Sequence, residues 1–182
     1  MQLRSEIQLK SMIKAMQDVV IPALDDRNRL AVEQAQLVTG MLGLMQHQMP
    51  LQYRFDRDEL KRLIETLEGC RQLCEQDAGL SSHLDQHKRL IAESRVVLEE
   101  SKVDPDGLQQ AVRALRFRIG ELVSIANEHA SEGTRTQIEK NVLAASGDQL
   151  LRDRALLAPQ NWEPDPAALP SIESLLSQGE SS

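Results

Sequence analysis

The sequence predicts an all-α protein, an antiparallel bundle of about five or six helices followed by a flexible acidic C-terminal tail. Apolar residues recur every three or four positions in almost every segment, and almost no segment alternates as a strand does. Prolines and glycines separate these periodic segments, and short connectors between long helices favour antiparallel neighbours. We therefore expect a helical bundle domain at residues 1–158 and a proline-rich tail at 159–182.

The first two predicted helices are separated by a proline. An apolar stripe over residues 3–20 predicts the first helix, which Pro22 ends because proline has no N–H to donate. Asp25 and Asp26 stand where the second helix would start and accept from its unpaired N–H groups. This second helix extends to about Gln48 and is apolar over a wide arc, which is typical of a central, buried helix.

Capping and breaking residues place the remaining helices. A third helix is predicted to open at Asp56, and a fourth at Ser81 or Ser82, because these residue types cap helix N-termini. A fifth begins at Pro105, since proline suits the first helical position. Gly133 interrupts the pattern before a sixth helix.

The tail differs from the rest of the chain in composition. Four of the seven prolines follow residue 158, and residues 158–182 contain four acidic residues and no Lys or Arg. Apolar residues still recur there at helical spacing, which predicts a short amphipathic segment: Leu169, Ile172, Leu175 and Leu176. Such a segment either packs on its own bundle or docks into a groove of a partner.

Charge and composition disfavour several classes of partner. The net charge of -7 and the 2% of aromatic residues argue against nucleic-acid binding. The uncharged stretch 34–53 is long enough to span a bilayer, but its glutamines and Pro50 indicate a soluble helix. No signal peptide is visible, and two cysteines four residues apart fit reduced thiols. We expect a cytoplasmic protein with no nucleic-acid or membrane partner.

One candidate ligand set combines the two cysteines with two histidines. If the third and fourth helices form a hairpin, Cys70, Cys74, His83 and His87 could meet as a tetrahedral zinc site. The alternative is that Cys70 and Cys74 continue an apolar stripe and that His87 lies in the core, where cysteine behaves as a small apolar residue.

A second candidate is an anion site. Arg113 and Arg116 lie three apart on the fifth helix and could hold a phosphate or carboxylate, or could pair with acids on a neighbouring helix. Paired acids occur at Asp25-Asp26, Asp56-x-Asp58-Glu59 and Glu99-Glu100, and nearly all of them are interpreted as caps and solvated faces. We therefore expect an interior without spare polar groups.

Motifs for known chemistry are missing from the sequence. No Glu-x-x-His pair, P-loop, dinucleotide glycine pattern or Gly-x-Ser-x-Gly elbow occurs. The sequence therefore favours a protein without catalytic activity or cofactor.

A methionine ladder is the best candidate for an interaction surface. Met41, Met45 and Met49 follow each other at four-residue steps on the second helix, and methionine adapts to irregular surfaces. If the ladder is buried, it is core packing; if it is exposed, it predicts dimerisation through this helix.

The stretch from Ile13 to about Leu44, with Val-Val-Ile-Pro-Ala-Leu at residues 19–24 before an uncharged helix, resembles small uncharacterised bacterial helical proteins. Those proteins accompany phosphotransferase-like kinases and acyl-CoA dehydrogenases. The resemblance covers about a quarter of the chain and defines no functional residues. It implies an accessory role near acyl-CoA or phosphoryl chemistry.

Together these patterns predict a non-catalytic accessory or protein-interaction protein that forms a homodimer. The alternative is a bundle that binds a metal through the Cys/His set or an anion through Arg113 and Arg116.

Overall fold

The computed structural model describes residues 5–99, 105–160 and 162–178. Of these residues 88% are helical and none is in a strand, which confirms the all-α class. The described residues form seven α-helices: α1 (Ser5–Ala15), α2 (Arg29–Gln48), α3 (Gln52–Cys74), α4 (Leu84–Glu99), α5 (Pro105–His129), α6 (Glu132–Leu157) and α7 (Ile172–Gln178). The count exceeds the prediction because the short α7 adds one.

Local hydrogen bonding explains where the helices begin. α5 begins at Pro105 as predicted. The N-cap of α2 is Asn28, whose side chain accepts from the N–H of Ala31 at 3.2 Å. Asp25 does not cap this helix, because its carboxylate is held by the backbone and guanidinium of Arg27. The prediction for the start of α2 was therefore a few residues too early.

Other predicted boundaries need correction. α3 opens at Gln52, four residues before Asp56. A 3-10 turn occupies Ala78–His83, so α4 begins at Leu84 and not at Ser81 or Ser82. The predicted start of the first helix at residue 3 lies outside the described residues.

The chain forms two compact units. Unit 1 consists of Met1–Gln52 with Arg154–Leu169, and unit 2 consists of Tyr53–Asp153 with Pro170–Ser182.

Unit 2 contains a continuous apolar core. Its fully buried side chains come from α3, the following 3-10 turn, α4, α5 and α6, and they include Leu60, Leu67, Leu80, Leu115, Leu122 and Ile138. On α5 the apolar side chains at helical spacing are all buried: Leu108, Val112, Leu115, Ile119 and Leu122. Residues at helical spacing on α5 therefore face the core together.

A close approach between loops fixes the ends of the core helices in unit 2. The carboxylate of Asp77 accepts from the N–H of Gly79 at 3.0 Å and from the N–H of Ser131 at 2.8 Å. A Cβ atom at Gly79 would lie 2.1 Å from the carbonyl oxygen of His129, so no larger residue fits there without movement. This loop contact ties the end of α3 to the turn between α5 and α6.

The predicted amphipathic segment of the tail forms α7. Ile172, Leu175 and Leu176 are buried in the structure. The buried side chains agree with a segment that packs against its own chain, and they leave no apolar face of α7 for a partner groove.

Unit 1 buries few side chains. Its buried apolar residues among those described are Leu9, Ala35, Leu44, Leu51 and Ala155. On α2 itself these are Ala35 and Leu44 alone. The prediction that α2 is a central, buried helix was wrong. A wide apolar arc on a helix does not determine how much of that arc packs against other helices.

Candidate functional site

The most exposed apolar surface of unit 1 lies along α2. Six large side chains of this helix and its C-cap are between 39% and 66% exposed, and we call them the α2 apolar face: Leu30, Leu37, Val38, Met41, Met45 and Met49. At about 100° per residue they fall within an arc of about 120° on one side of the helix. The methionine ladder is therefore exposed and is not core packing.

The α2 apolar face carries no charge over most of its length. Residues 34–52 contain no Asp, Glu, Lys or Arg. A partner can therefore cover this face without burying an unpaired ion, which is the usual obstacle to covering a protein surface. Soluble chains rarely expose contiguous apolar patches beyond a few hundred Å², and larger ones mark interaction sites.

A buried ion cluster in unit 2 was not predicted from the sequence. The side chain of Asp58 on α3 is 6% exposed, and its Oδ2 accepts from Nε of Arg62 at 2.9 Å and from Nε of Arg152 at 2.8 Å. Nη2 of Arg62 also donates to Oε1 of Gln149 at 2.7 Å. The cluster links α3 to α6 through paired charges, as burial of an ion requires.

A second buried carboxylate stands next to this cluster. The side chain of Glu59 is 5% exposed, and its Oε1 accepts from Nε and Nη2 of Arg116 on α5. Burial raises the pKa of Glu59, while the guanidiniums of Arg116 and Arg62 oppose that rise. Arg116 thus pairs with an acid on a neighbouring helix, and Arg113 is exposed.

The interpretation of Asp58 and Glu59 as cap or solvated residues was wrong, and so was the expectation of an interior without polar groups. A usable signal was present in the sequence. Glu59 lies one turn before Leu63 and so extends the apolar stripe of α3, and Asp58 and Arg62 stand at the i, i+4 spacing of a helical ion pair.

These ion pairs border a cleft in unit 2. It has a volume of about 540 Å³ and lies between α3, α5 and α6. We call it the α3/α5/α6 cleft, and its lining includes Glu59, Leu63, Arg116, Ile119, Val142 and Leu150. Apolar clefts of this size with a few convergent polar groups are typical of ligand sites.

The Cys/His set does not assemble as a metal site. The described residues contain no group of three or more His, Cys, Asp or Glu side chains that could hold a metal ion. Cys70, Cys74 and His87 are buried in the core, whereas His83 is partly exposed. The alternative interpretation, in which these residues are part of the core, describes their positions.

Burial keeps the thiols of Cys70 and Cys74 and the imidazole of His87 uncharged at neutral pH. It raises the pKa of Cys70 and of Cys74 to about 11, so both thiols stay protonated. A protonated thiol is a poor nucleophile and a poor metal ligand. Burial also lowers the pKa of His87 to about 4, with nearby Arg118 adding to the effect.

Comparison with known proteins gives no relative from which to infer a site, because no family, curated protein or solved structure matches the chain. Within the described residues, no helix is both long enough and apolar enough to cross a membrane.

Proposed function

We propose that this chain is a non-catalytic interaction protein that associates with a second copy of itself through the α2 apolar face. The observation that carries the proposal is the exposure of Met41, Met45 and Met49 on an uncharged helix face. The resemblance to small bacterial accessory proteins points to the same kind of role. A cytoplasmic location and an antiparallel arrangement of the helices belong to the proposal as well.

A second copy suits this face for three reasons. Two uncharged faces bring no like charges together, so self-contact costs no electrostatic repulsion. A two-fold contact uses the same patch twice, and it is the commonest arrangement of soluble oligomers. The 20 residues of α2 give a seam about 30 Å long, on which flexible methionine side chains can fit their own copies.

The experiment measures molar mass by light scattering after size exclusion, from about 1 to 100 μM protein. Met45→Glu places a charge between the exposed Met41 and Met49 of the face without lowering helix propensity by much. We expect the wild type to be a dimer and Met45→Glu to weaken dimerisation at least tenfold, because the carboxylate would have to be desolvated.

The matched control is Leu143→Glu on α6, where the wild-type side chain is 70% exposed in unit 2. This variant adds the same charge to another exposed helix position and should leave the dimer unchanged. A monomeric wild type at tens of micromolar, or an equal loss in both variants, would refute self-association through α2.

A further inference from the structure

The α3/α5/α6 cleft has one polar end and apolar walls. Its apolar wall residues come from three helices: Leu63, Ile119, Val142, Ala145 and Leu150. Leu150 is 58% exposed, so the apolar surface continues outward past the edge of the cleft. The polar end is formed by Glu59, Arg62, Arg116, Gln149 and Asp153.

Two arginines supply hydrogen-bond donors at the polar end. Arg62 uses Nε and Nη2 on Asp58 and Gln149, and Arg116 uses Nε and Nη2 on Glu59. The side chain of Arg116 is 54% exposed, so its remaining N–H groups can be reached from solvent. Guanidinium groups with unused N–H pairs bind carboxylate and phosphate oxygens.

The carboxylates at the polar end are less accessible than the guanidinium of Arg116. Oε1 of Glu59 accepts from Arg116, and Oδ1 of Asp153 accepts from Nε2 of Gln149 at 2.8 Å. The side chain of Glu59 is 5% exposed, against 54% for that of Arg116, so a ligand that enters from solvent meets the guanidinium before the carboxylate. The hydroxyls of Thr66 and Ser146 donate to backbone carbonyls of their own helices, at 2.8 Å each, so they are spent as donors.

Gly120 leaves room for a side chain in the cleft. This residue of α5 belongs to the lining, and a Cβ atom built there meets no atom of the described residues within 4 Å. A glycine inside a helix costs about 1 kcal/mol relative to alanine. The chain therefore carries a destabilising residue at a position where a larger side chain would occupy the cleft.

From these observations we propose that the α3/α5/α6 cleft binds an amphiphilic organic anion. Its acidic head would lie against Arg62 and Arg116, and its aliphatic body would lie along Leu63, Ile119 and Val142. This function goes beyond self-association, and it involves no residue of the α2 apolar face.

The test is a titration of the full chain with octanoate, followed by two-dimensional amide NMR and calorimetry. Octylamine and 1-octanol serve as probes with the same chain and a different head. We expect saturable octanoate binding with shifts at Ile119, Gly120 and Val142, and at least tenfold weaker binding of the other two probes.

Two glycine variants locate the binding. Gly120→Leu places a side chain in the open space of the cleft and should weaken octanoate binding at least tenfold. Gly147→Leu on α6 is the matched control, because its Cβ also meets no atom within 4 Å and it lies outside the lining. This control should bind within twofold of the wild type.

Three results would overturn the proposal. Octylamine or 1-octanol could bind as tightly as octanoate, the shifts could fall on α2, or Gly120→Leu could bind as the wild type does. If Gly120→Leu does not fold, the probe series and the shift map on the wild type still decide. Molar mass is measured separately, so failure here leaves the self-association proposal standing or falling on its own data.

Discussion

The two units use apolar residues in opposite ways. The largest fully buried side chains of the described residues all lie in unit 2, where α3, α4, α5 and α6 surround a shared core. In unit 1 the helix with the widest apolar arc, α2, leaves six large side chains at least 39% exposed. Both patterns have helical period, so the period predicts the helix and not the surface that covers it.

The two buried carboxylates of the described residues that pair with arginines lie in unit 2. In unit 2 the carboxylates of Asp58 and Glu59 are buried and paired with arginines. In unit 1 the pair Lys10–Glu6 stands in solvent, with both side chains about 60% exposed. Buried pairs are costly to break because one ion is left without water or partner, whereas exposed pairs contribute little.

The largest effect is expected from breaking the buried cluster. Asp58→Ala leaves Arg62 and Arg152, which are 17% and 11% exposed, without their carboxylate. The free energy of unfolding of unit 2 should fall by about 3–5 kcal/mol. Urea unfolding followed by circular dichroism measures the loss.

The control for Asp58→Ala is Lys10→Ala in unit 1, which should cost less than about 1 kcal/mol because its ion pair is solvated. If the two variants lost equal free energy of unfolding, buried and exposed ion pairs would contribute equally to stability.

A pair of leucine truncations separates the units by packing alone. Leu115 of α5 is fully buried, and Leu37 of α2 is 51% exposed. Leu115→Ala should lower the free energy of unfolding by about 2–5 kcal/mol, because it removes buried methyl groups and leaves a cavity. Leu37→Ala should change it by about 0.5 kcal/mol or less when the protein is diluted to monomer.

The same two variants sharpen the comparison when the protein is concentrated. If the α2 apolar face associates, Leu37→Ala becomes more costly as concentration rises, because binding stabilises the folded state by mass action. Leu115→Ala should show no such extra dependence. A Leu37→Ala effect that is large and independent of concentration would place Leu37 in a core.

Much of the fold of unit 2 could be predicted because its signals are local. Pro105 marks the start of α5, and the stripe from Leu108 to Leu122 marks its buried face. The start of α2 could not be fixed in the same way, because Asp25, Asp26 and Asn28 are all acceptable caps. Which of these residues caps α2 depends on Arg27, whose guanidinium holds the carboxylate of Asp25 in a local turn.

The candidate cleft was harder to predict than the helices, for a physical reason. The sequence allowed Arg116 to bind an anion or to pair with an acid on a neighbouring helix, but that acid, Glu59, lies 57 residues earlier in the chain. Arg152 lies 94 residues from Asp58. A single sequence does not show which helices pack against each other. Contacts between residues this far apart in the chain can therefore be read only from the packing of α3, α5 and α6.

A pH-dependent effect is expected from a buried base of unit 2. His87 is fully buried, and its two ring nitrogens have no hydrogen-bond partner among the described residues. Burial, with Arg118, His83 and Arg71 nearby, lowers its pKa from 6.5 to about 4. Between these values the unfolded chain takes up a proton that the folded chain does not, so the free energy of unfolding falls as pH falls. The loss is complete below pH 4 and amounts to at most about 3 kcal/mol.

Urea unfolding at several pH values from 7.5 to 4 measures this slope. His87→Leu removes the titrating group and should flatten the slope in that window. His129→Gln is the control, because the side chain of His129 is 56% exposed and its loss should leave the slope unchanged. A slope that persists in His87→Leu would assign the acid sensitivity to carboxylates whose pKa is lowered in the folded chain, with Asp77 as the first to examine. A slope that disappears would show that unit 2 tolerates an unpartnered imidazole in its core only while that imidazole stays neutral.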